Sequence, residues 1–275
     1  MKKLGPYIGV TGFMSLAEVV ACGNTFGETI LQMKNGAVTN QLKFMVGILV
    51  SSKTLAGRTN KWFNRYPVIA NIPEIISSKN YAWLYTIHYN TDDSQTIDEQ
   101  IDQLMQISPN IDAIQLNMKW VNHVRLQRIG RKYPNLRIIL QIGTGALKEV
   151  DEPGEIFLGD ALKAYEGVAD DFLVDPSGGV GKELDVWRAF ACIADDEIPK
   201  SMQPGIAGGF CADNVTNAKG LMRRLHRPVN LDAEGKLRTS SDETEGGGHL
   251  IVSEAQRYII AGGNLIGNAI ILANK

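Results

Sequence analysis

One unit recurs along this chain from end to end: a short β-branched run, a polar loop, then a helical pattern. Strands are expected at Tyr7–Val10, Phe44–Val50, Ala82–Tyr89, Ala113–Leu116, Arg137–Gln141, Asp171–Val174, Gly205–Ala207 and Pro228–Leu231. Helical patterns fall between or after them at Ser94–Ile107, Val121–Lys132, Ile156–Glu166, Leu184–Ala194, Ala212–Leu225 and Val252–Ala261, with another from Ser15. Strands that alternate with helices form βαβ units, and βαβ units form parallel sheets. Eight strand candidates point to a closed α/β architecture, a single (β/α)₈ barrel over residues 1–275, with an open doubly wound sheet as the alternative. The length of 275 residues suits one such barrel, since the fold takes about 250.

Three stretches exceed what a minimal barrel needs: Ser51–Tyr81, Gly143–Glu155 and Ala233–Gly248. Each follows a strand, so barrel logic enlarges the loops of the C-terminal face, where barrel enzymes build their sites. Arg65-Tyr66-Pro67 and Ile72-Pro73 break any long helix in the first. Thr239 to Gly248, rich in Ser, Thr, Glu and Gly, reads as a mobile loop.

Composition narrows the partners. With 28 basic and 30 acidic residues the net charge is -2, so neither nucleic acid nor an acidic membrane is the expected partner. The three cysteines, Cys22, Cys192 and Cys211, are widely spaced and form no C-x-x-C. Neither a disulfide framework nor a metal site is expected, and a reducing, cytoplasmic setting is the default. No run of 18 apolar residues occurs. Met1-Lys2-Lys3 followed by Val19-Val20-Ala21-Cys22 also fits a lipoprotein signal, although Pro6 and Glu18 interrupt the apolar stretch. The four histidines show no metal-ligand spacing, and no cofactor is expected.

Three motifs carry the chemistry. Leu173-Val174-Asp175 ends a buried strand in a carboxylate, and Pro176-Ser177-Gly178-Gly179-Val180-Gly181-Lys182 follows as a glycine-rich loop. A carboxylate at a strand's C-terminal end stands where barrels place acids and bases. The plain alternative is an aspartate capping a turn. Gly178-x-x-Gly181-Lys182 is too short for a Walker phosphate loop. Next, Gly205-Ile206-Ala207-Gly208-Gly209 brings two glycines to a strand end, with a helix expected from Ala212 or Asp213. Third, Asn230-Leu231-Asp232-Ala233-Glu234-Gly235 ends a strand in an acid and a glycine. Loops after strands seven and eight jointly form the usual barrel phosphate site, so a phosphorylated ligand is expected there.

These residues resemble phosphoribosylanthranilate isomerase: Asp175 with Gly178–Gly181 and Asp185-Val186-Trp187, Ala207-Gly208-Gly209 with Asn214-Val215, and Asp232 to Gly235. Gly9-Val10-Thr11-Gly12 and Ile114-Gln115-Leu116 resemble its first and fourth strands. The resemblance implies a (β/α)₈ barrel of tryptophan biosynthesis that performs an Amadori rearrangement on a small sugar-phosphate-like ligand. It implies that Asp175 is the acid, and that Gly208, Gly209, Gly235 and Gly179 hold phosphate through backbone N–H groups. Lys53, Gln115 and Asn117 then face the substrate, with Lys53 taking its carboxylate. The family's base is a cysteine at the end of strand one, where this chain has Thr11, and the family's histidine after Gln-Leu is here Asn117. An unaided hydroxyl is too weak a base for that role. His88, near the end of strand three, and Asp232 are the replacements to consider, each with Asp175 as partner. Cys211 lies beside the diglycine, but a nearby phosphate would disfavour its thiolate. Two other readings stay open: a different barrel enzyme on a phosphorylated ligand, a lyase or ketose–aldose isomerase, and a binding protein that kept the phosphate site without the chemistry.

Overall fold

A computed structural model describes residues 2–78, 80–151, 158–175, 193, 198–240, 242 and 246–274. The expected Gly178–Lys182 loop with Gly179, the Asp185-Val186-Trp187 motif and all but Ile193 of the helix at Leu184–Ala194 lie outside the described residues. Eight strands close a barrel in sequence order: β1 (Tyr7–Thr11), β2 (Lys43–Ser51), β3 (Trp83–Asn90), β4 (Ala113–Leu116), β5 (Arg137–Gly143), β6 (Asp171–Asp175), β7 (Gln203–Ala207) and β8 (Asn230–Ala233). Every neighbouring pair is parallel, and β1 pairs with β8 to complete the ring. The open-sheet alternative is therefore excluded, and the (β/α)₈ expectation holds.

Alternation along the strands divides the core in two. Ile8, Val10, Phe44, Val46, Ile48, Ile87, Ile114, Leu140, Phe172, Val174, Ile206 and Leu231 face outward and are covered by helices. Tyr7, Met45, Leu84, Ala113, Ile139, Leu173 and Ala207 form a separate cluster inside the barrel. Successive side chains point to opposite faces of a strand, so residues two apart share a face. That period stacks Arg137, Ile139 and Gln141 on β5, and Asp171, Leu173 and Asp175 on β6. The barrel interior is a packed core with polar layers at both ends.

The helix Leu16–Gln32 begins at Ser15, whose hydroxyl accepts from the Glu18 N–H while Glu18 accepts from the Ser15 N–H. That capping box satisfies two donors at the helix start. Cys22 lies on its inner face at 0% exposure, and burial pushes its thiol up to about 12. Here it packs as a small apolar residue.

The last helix runs from Val252 to Ala273, twelve residues beyond the expected end. Gly262-Gly263 reads locally as a helix stop. In the fold, Gly262 lets the helix press onto β1, because a Cβ there would stand 2.5 Å from Ile8 Cδ1. The pattern Ala212–Leu225 is also divided: a 3₁₀ turn spans Val215–Ala218 and the α-helix begins only at Lys219.

At the N-terminal end of the barrel, Arg137 is 1% exposed and Asp171 0%. Arg137 Nε donates to Asp171 Oδ2 at 2.6 Å, and Nη2 bonds Asp171 Oδ1 as well. Its remaining N–H groups reach the carbonyls of Lys3 and Gly5, and Asn230 Nδ2 donates to Asp171 at 2.8 Å. Removing one partner of such a pair strands the other charge in a dry interior. Arg137→Met is expected to cost about 3–5 kcal/mol in urea unfolding, and Arg137→Met with Asp171→Leu to recover most of that loss. A double variant no better than the single one would contradict this account.

Candidate active site

The C-terminal end of the barrel holds a pocket with about 560 Å³ of atom-free space. Its walls bring together Asp175 from β6, Asp232 from β8, His88 from β3, Gln115 from β4 and Gln141 from β5. Asn117, Gly208, Gly209, Glu234 and Gly235 line it too. Residues expected from separate motifs therefore meet at one place. Lys53 does not: it is exposed on the short helix Ser52–Leu55 and lines no part of this pocket, so the carboxylate role expected for it is not supported. Strand β2 ends at Ser51, which caps that short helix, and Lys53 follows as an exposed side chain.

The inward side chains at this level bond one another. Thr11 Oγ1 donates to Asp232 Oδ1 at 2.9 Å, and the same hydroxyl lies 3.4 Å from His88 Nε2. Gln115 Nε2 stands 3.1 Å from His88 Nδ1 and donates to Gln141 Oε1 at 2.9 Å. Gln141 Nε2 donates to Asp175 Oδ2 at 2.8 Å. One connected set of polar side chains from β8, β1, β3, β4, β5 and β6 thus joins the two carboxyl groups.

Gly47 on β2 makes the crossing possible. A Cβ at that position would stand 2.5 Å from Thr11 Oγ1 and 2.9 Å from His88 Nε2, so only a residue without a side chain lets β1 and β3 touch over β2. Gly9 does the same beneath Asp232, whose Oδ1 would lie 3.0 Å from a Cβ there.

Burial sets the protonation states. Asp232 is 5% exposed, and desolvation raises its pKa to about 8. Glu234 and Asp175 push it further up, while the donors Thr11 and Gln115 pull it down. Desolvation lowers His88 to about 3. The two groups approach to 4.0 Å, but both are neutral at pH 7, so the contact is polar and not an ion pair. A neutral imidazole of such low basicity is a poor proton acceptor, which argues against His88 as the base. It serves instead as a hydrogen-bonding side chain between Thr11 and Gln115.

The glycine end differs from expectation in two ways. Gly208 and Gly209 have φ of 104° and 63°, in the left-handed region that favours glycine. Asn214 holds their loop by accepting from the Cys211 N–H and donating to the Gly209 carbonyl, each at 2.8 Å. The expected α-helix does not follow directly, so the positive helix end anticipated at Ala212 or Asp213 is absent and only the 3₁₀ turn stands there. Second, Glu234 places a carboxylate in the pocket wall beside Gly235. Arg65 Nη1 offsets it at 2.8 Å.

Arg65 and Arg238, both nearly buried, lock the enlarged loops together. Arg65 Nε donates to the Gly247 carbonyl at 2.8 Å and its guanidinium stacks over Trp62, 4.7 Å from the ring centroid. Arg238 Nη2 donates to the carbonyls of Thr11 and Gly12, and Nη1 to that of Gly248. The described part of the loop read as mobile is thus tied to β1 and to the loop after β2. Glu234, Arg65, Arg238 and Gln141 went unrecognised in the sequence. Gln141 had a usable signal, since it stands two residues from inward Ile139.

No protein-family model and no curated protein matches this chain. Solved structures do. Phosphoribosyl anthranilate isomerase from Thermus thermophilus aligns over 94% of this chain and 99% of its own, at 13% identity and a TM-score of 0.61. TrpF from Jonesia denitrificans aligns over 95% and 98%, at 13% identity and a TM-score of 0.57. The catalytic domain of a chitinase from Pyrococcus furiosus aligns over 96% of each chain, at 10% identity and a TM-score of 0.53. The fold is a (β/α)₈ barrel. At these identities the likeness concerns the fold, which also carries unrelated reactions.

The raised Asp232 pKa gives a stability test. Its folded value lies near 8 and its unfolded value near ~3.9. The stabilising effect of its proton is fully present below about pH 4 and is lost as pH rises through 8. Asp232→Asn is expected to flatten the decline of unfolding free energy between pH 5 and pH 8, measured by urea titration. An unchanged slope would show that Asp232 is ionised in the folded protein.

Proposed function

We propose that this protein is a proton-transfer isomerase acting on a small aldose-derived phosphate, in the manner of an Amadori rearrangement. The observation that carries the reading is the pairing of Asp232 with Asp175 in one pocket, joined through Gln141, Gln115, His88 and Thr11. Such a reaction needs an acid to protonate the ring oxygen as the ring opens to an iminium. It then needs a base to remove the C2 proton, giving an enolamine that becomes the ketone. Asp232 retains its proton at neutral pH and is suited to the acid role. Asp175 then takes the C2 proton. This reverses the role that the family resemblance gives Asp175, and it needs no cysteine at position 11. Thr11 contributes by donating to Asp232. Gly208, Gly209 and Gly235 are the proposed phosphate contacts.

One feature favours a second substrate class. Among the described residues the pocket lining holds three carboxylic acids, Asp175, Asp232 and Glu234, and neither lysine nor arginine. An unphosphorylated polyol fits that lining electrostatically. Calorimetry with ribose 5-phosphate and ribose separates the two classes. The phosphate reading expects the phosphorylated sugar to bind at least about tenfold tighter, a difference of ~1.4 kcal/mol, and Glu234→Gln to widen the gap. Equal affinities would replace it with the polyol reading.

For the reaction, turnover of phosphoribosylanthranilate and of a panel of aldose phosphates is the direct measurement. With the accepted substrate, kcat/KM is expected to fall above about pH 8 as Asp232 ionises. Thr11→Ala removes a hydrogen bond that favours the carboxylate, so the fall should move to higher pH. Asp232→Asn and Asp175→Asn should each lower kcat by roughly 10²–10⁴-fold. Full activity in either variant rejects the paired mechanism. Tight binding with no turnover across the panel points to a binding protein.

A further inference from the structure

The side chains between the two carboxyls have a direction. Gln115 Nε2, which can only donate, lies 3.1 Å from His88 Nδ1 and donates to Gln141 Oε1 at 2.9 Å, with Asp232 also within its reach. For this His88 Nδ1 must accept, so the ring proton sits on Nε2, which faces Met45 Sδ and Thr11 Oγ1, each at 3.4 Å. A neutral imidazole, enforced by burial, supplies that acceptor. Gln115 in turn fixes the Gln141 amide, because Oε1 of Gln141 is held by a donor. Gln141 Nε2 is thereby turned toward Asp175 Oδ2. An N–H donor directed at a carboxyl oxygen favours the ionised form. Negative charge on Asp175 in turn favours the proton on Asp232.

We propose that His88, Gln115 and Gln141 are positioning residues that form an orientation relay, fixing negative charge on Asp175 and so leaving the proton on Asp232. On the proposed function, the relay adds to burial in deciding which carboxyl starts a turnover as acid and which as base. Amide orientation passes from β3 through β4 and β5 to β6, and the output appears on β8. Only Gln141 touches Asp175 within this relay, yet the identity of all three side chains is felt there. Each is at most 9% exposed, so water has little access to substitute for a missing donor. Gln115 Oε1 is buried with no hydrogen-bond partner among the described residues.

Other groups bear on the same protons. Asp232 is faced by Thr11 from β1, His88 from β3, Gln115 from β4 and Asp175 from β6, with Glu234 on its own loop and Tyr258 nearby on the last helix. Tyr7, below it in the barrel, and Tyr258 are held neutral by burial. Arg65 partners Glu234 and sets how strongly that charge acts.

The test needs no substrate. Carboxyl carbon-13 shifts of Asp175 and Asp232 are followed against pH in the natural protein and in Gln141→Met and Gln115→Met. Methionine keeps the length of glutamine and removes both donor and acceptor. Gln141→Met is expected to raise the Asp175 midpoint and lower that of Asp232, each by about one pH unit. Gln115→Met, which removes no atom in contact with Asp175, is expected to raise the Asp175 midpoint as well; its Asp232 midpoint is set by two opposing changes, because Gln115 also bonds that carboxyl directly. Loss of packing alone would not move two carboxyls in opposite senses. If Gln115→Met leaves the Asp175 titration in place, or if Gln141→Met moves both midpoints the same way, the relay is rejected. Should either variant unfold, Gln115→Leu and Gln141→Leu supply the same reading. Each removes the donors without adding a charge and is expected to raise the Asp175 midpoint, and an unchanged midpoint rejects the relay. The sugar-binding and turnover assays report separately on the proposed function, so either idea can fail without the other.

Discussion

Closure of eight parallel strands forces inward side chains from distant parts of the sequence into a common space. At the C-terminal end that space holds Thr11, His88, Gln115, Gln141, Asp175 and Asp232, all nearly buried. A buried polar group left without a partner costs about 1–3 kcal/mol, and a buried charge costs more. Six strands therefore have to satisfy one another's side chains across the barrel. Their hydrogen-bonded connection is what makes two carboxyl groups on β6 and β8 one chemical unit.

The two glycines in the inner wall show how narrow the solution is. Gly47 lets Thr11 reach His88 across β2, and Gly9 leaves room under Asp232. The polar layer at the opposite end, with Arg137, Asp171 and Asn230, follows the same rule. Between the two layers, Met45, Leu84, Ala113, Ile139 and Leu173 form an apolar floor that keeps the site dry from below. That dryness is the physical cause of the raised Asp232 and the lowered His88. Low dielectric favours the neutral form of each group, so one carboxyl keeps its proton at neutral pH while the imidazole stays uncharged.

Above the barrel, two buried arginines connect β1, the loop after β2 and the loop after β8. Arg238 takes up carbonyls at the end of β1, and burial lowers its pKa to about 10. Arg65 binds Glu234 in the pocket wall. Gly246, Gly247 and Gly248 all have positive φ, so the chain folds back close enough for their neighbours to be bridged. These contacts place Glu234 next to Asp232 and add to the field that holds its proton. Loop anchoring and site electrostatics are thus produced by the same residues.

The sequence by itself determined the architecture. Period-two runs broken by polar loops and helical patterns gave eight strands, and all eight lie where the runs lie, with ends differing by a few residues. It also located Asp175, Asp232 and the diglycine, because acids and glycines at strand ends are local features. It did not determine which of these groups holds a proton, since that depends on burial and on neighbours from other strands. Gln141 and Glu234 escaped notice because a lone amide or an exposed-looking acid has no local signature; their importance comes from Asp175 and Arg65, 34 and 169 residues away in the chain. Lys53 looked well placed for the converse reason. Its sequence position near a strand end was right, but it is exposed and no part of the pocket lining. The last helix runs past its expected end at Ala261, through Gly262, whose lack of a side chain makes room for Ile8. Only the closed barrel, by fixing which side chains share a layer, decided the site's chemistry.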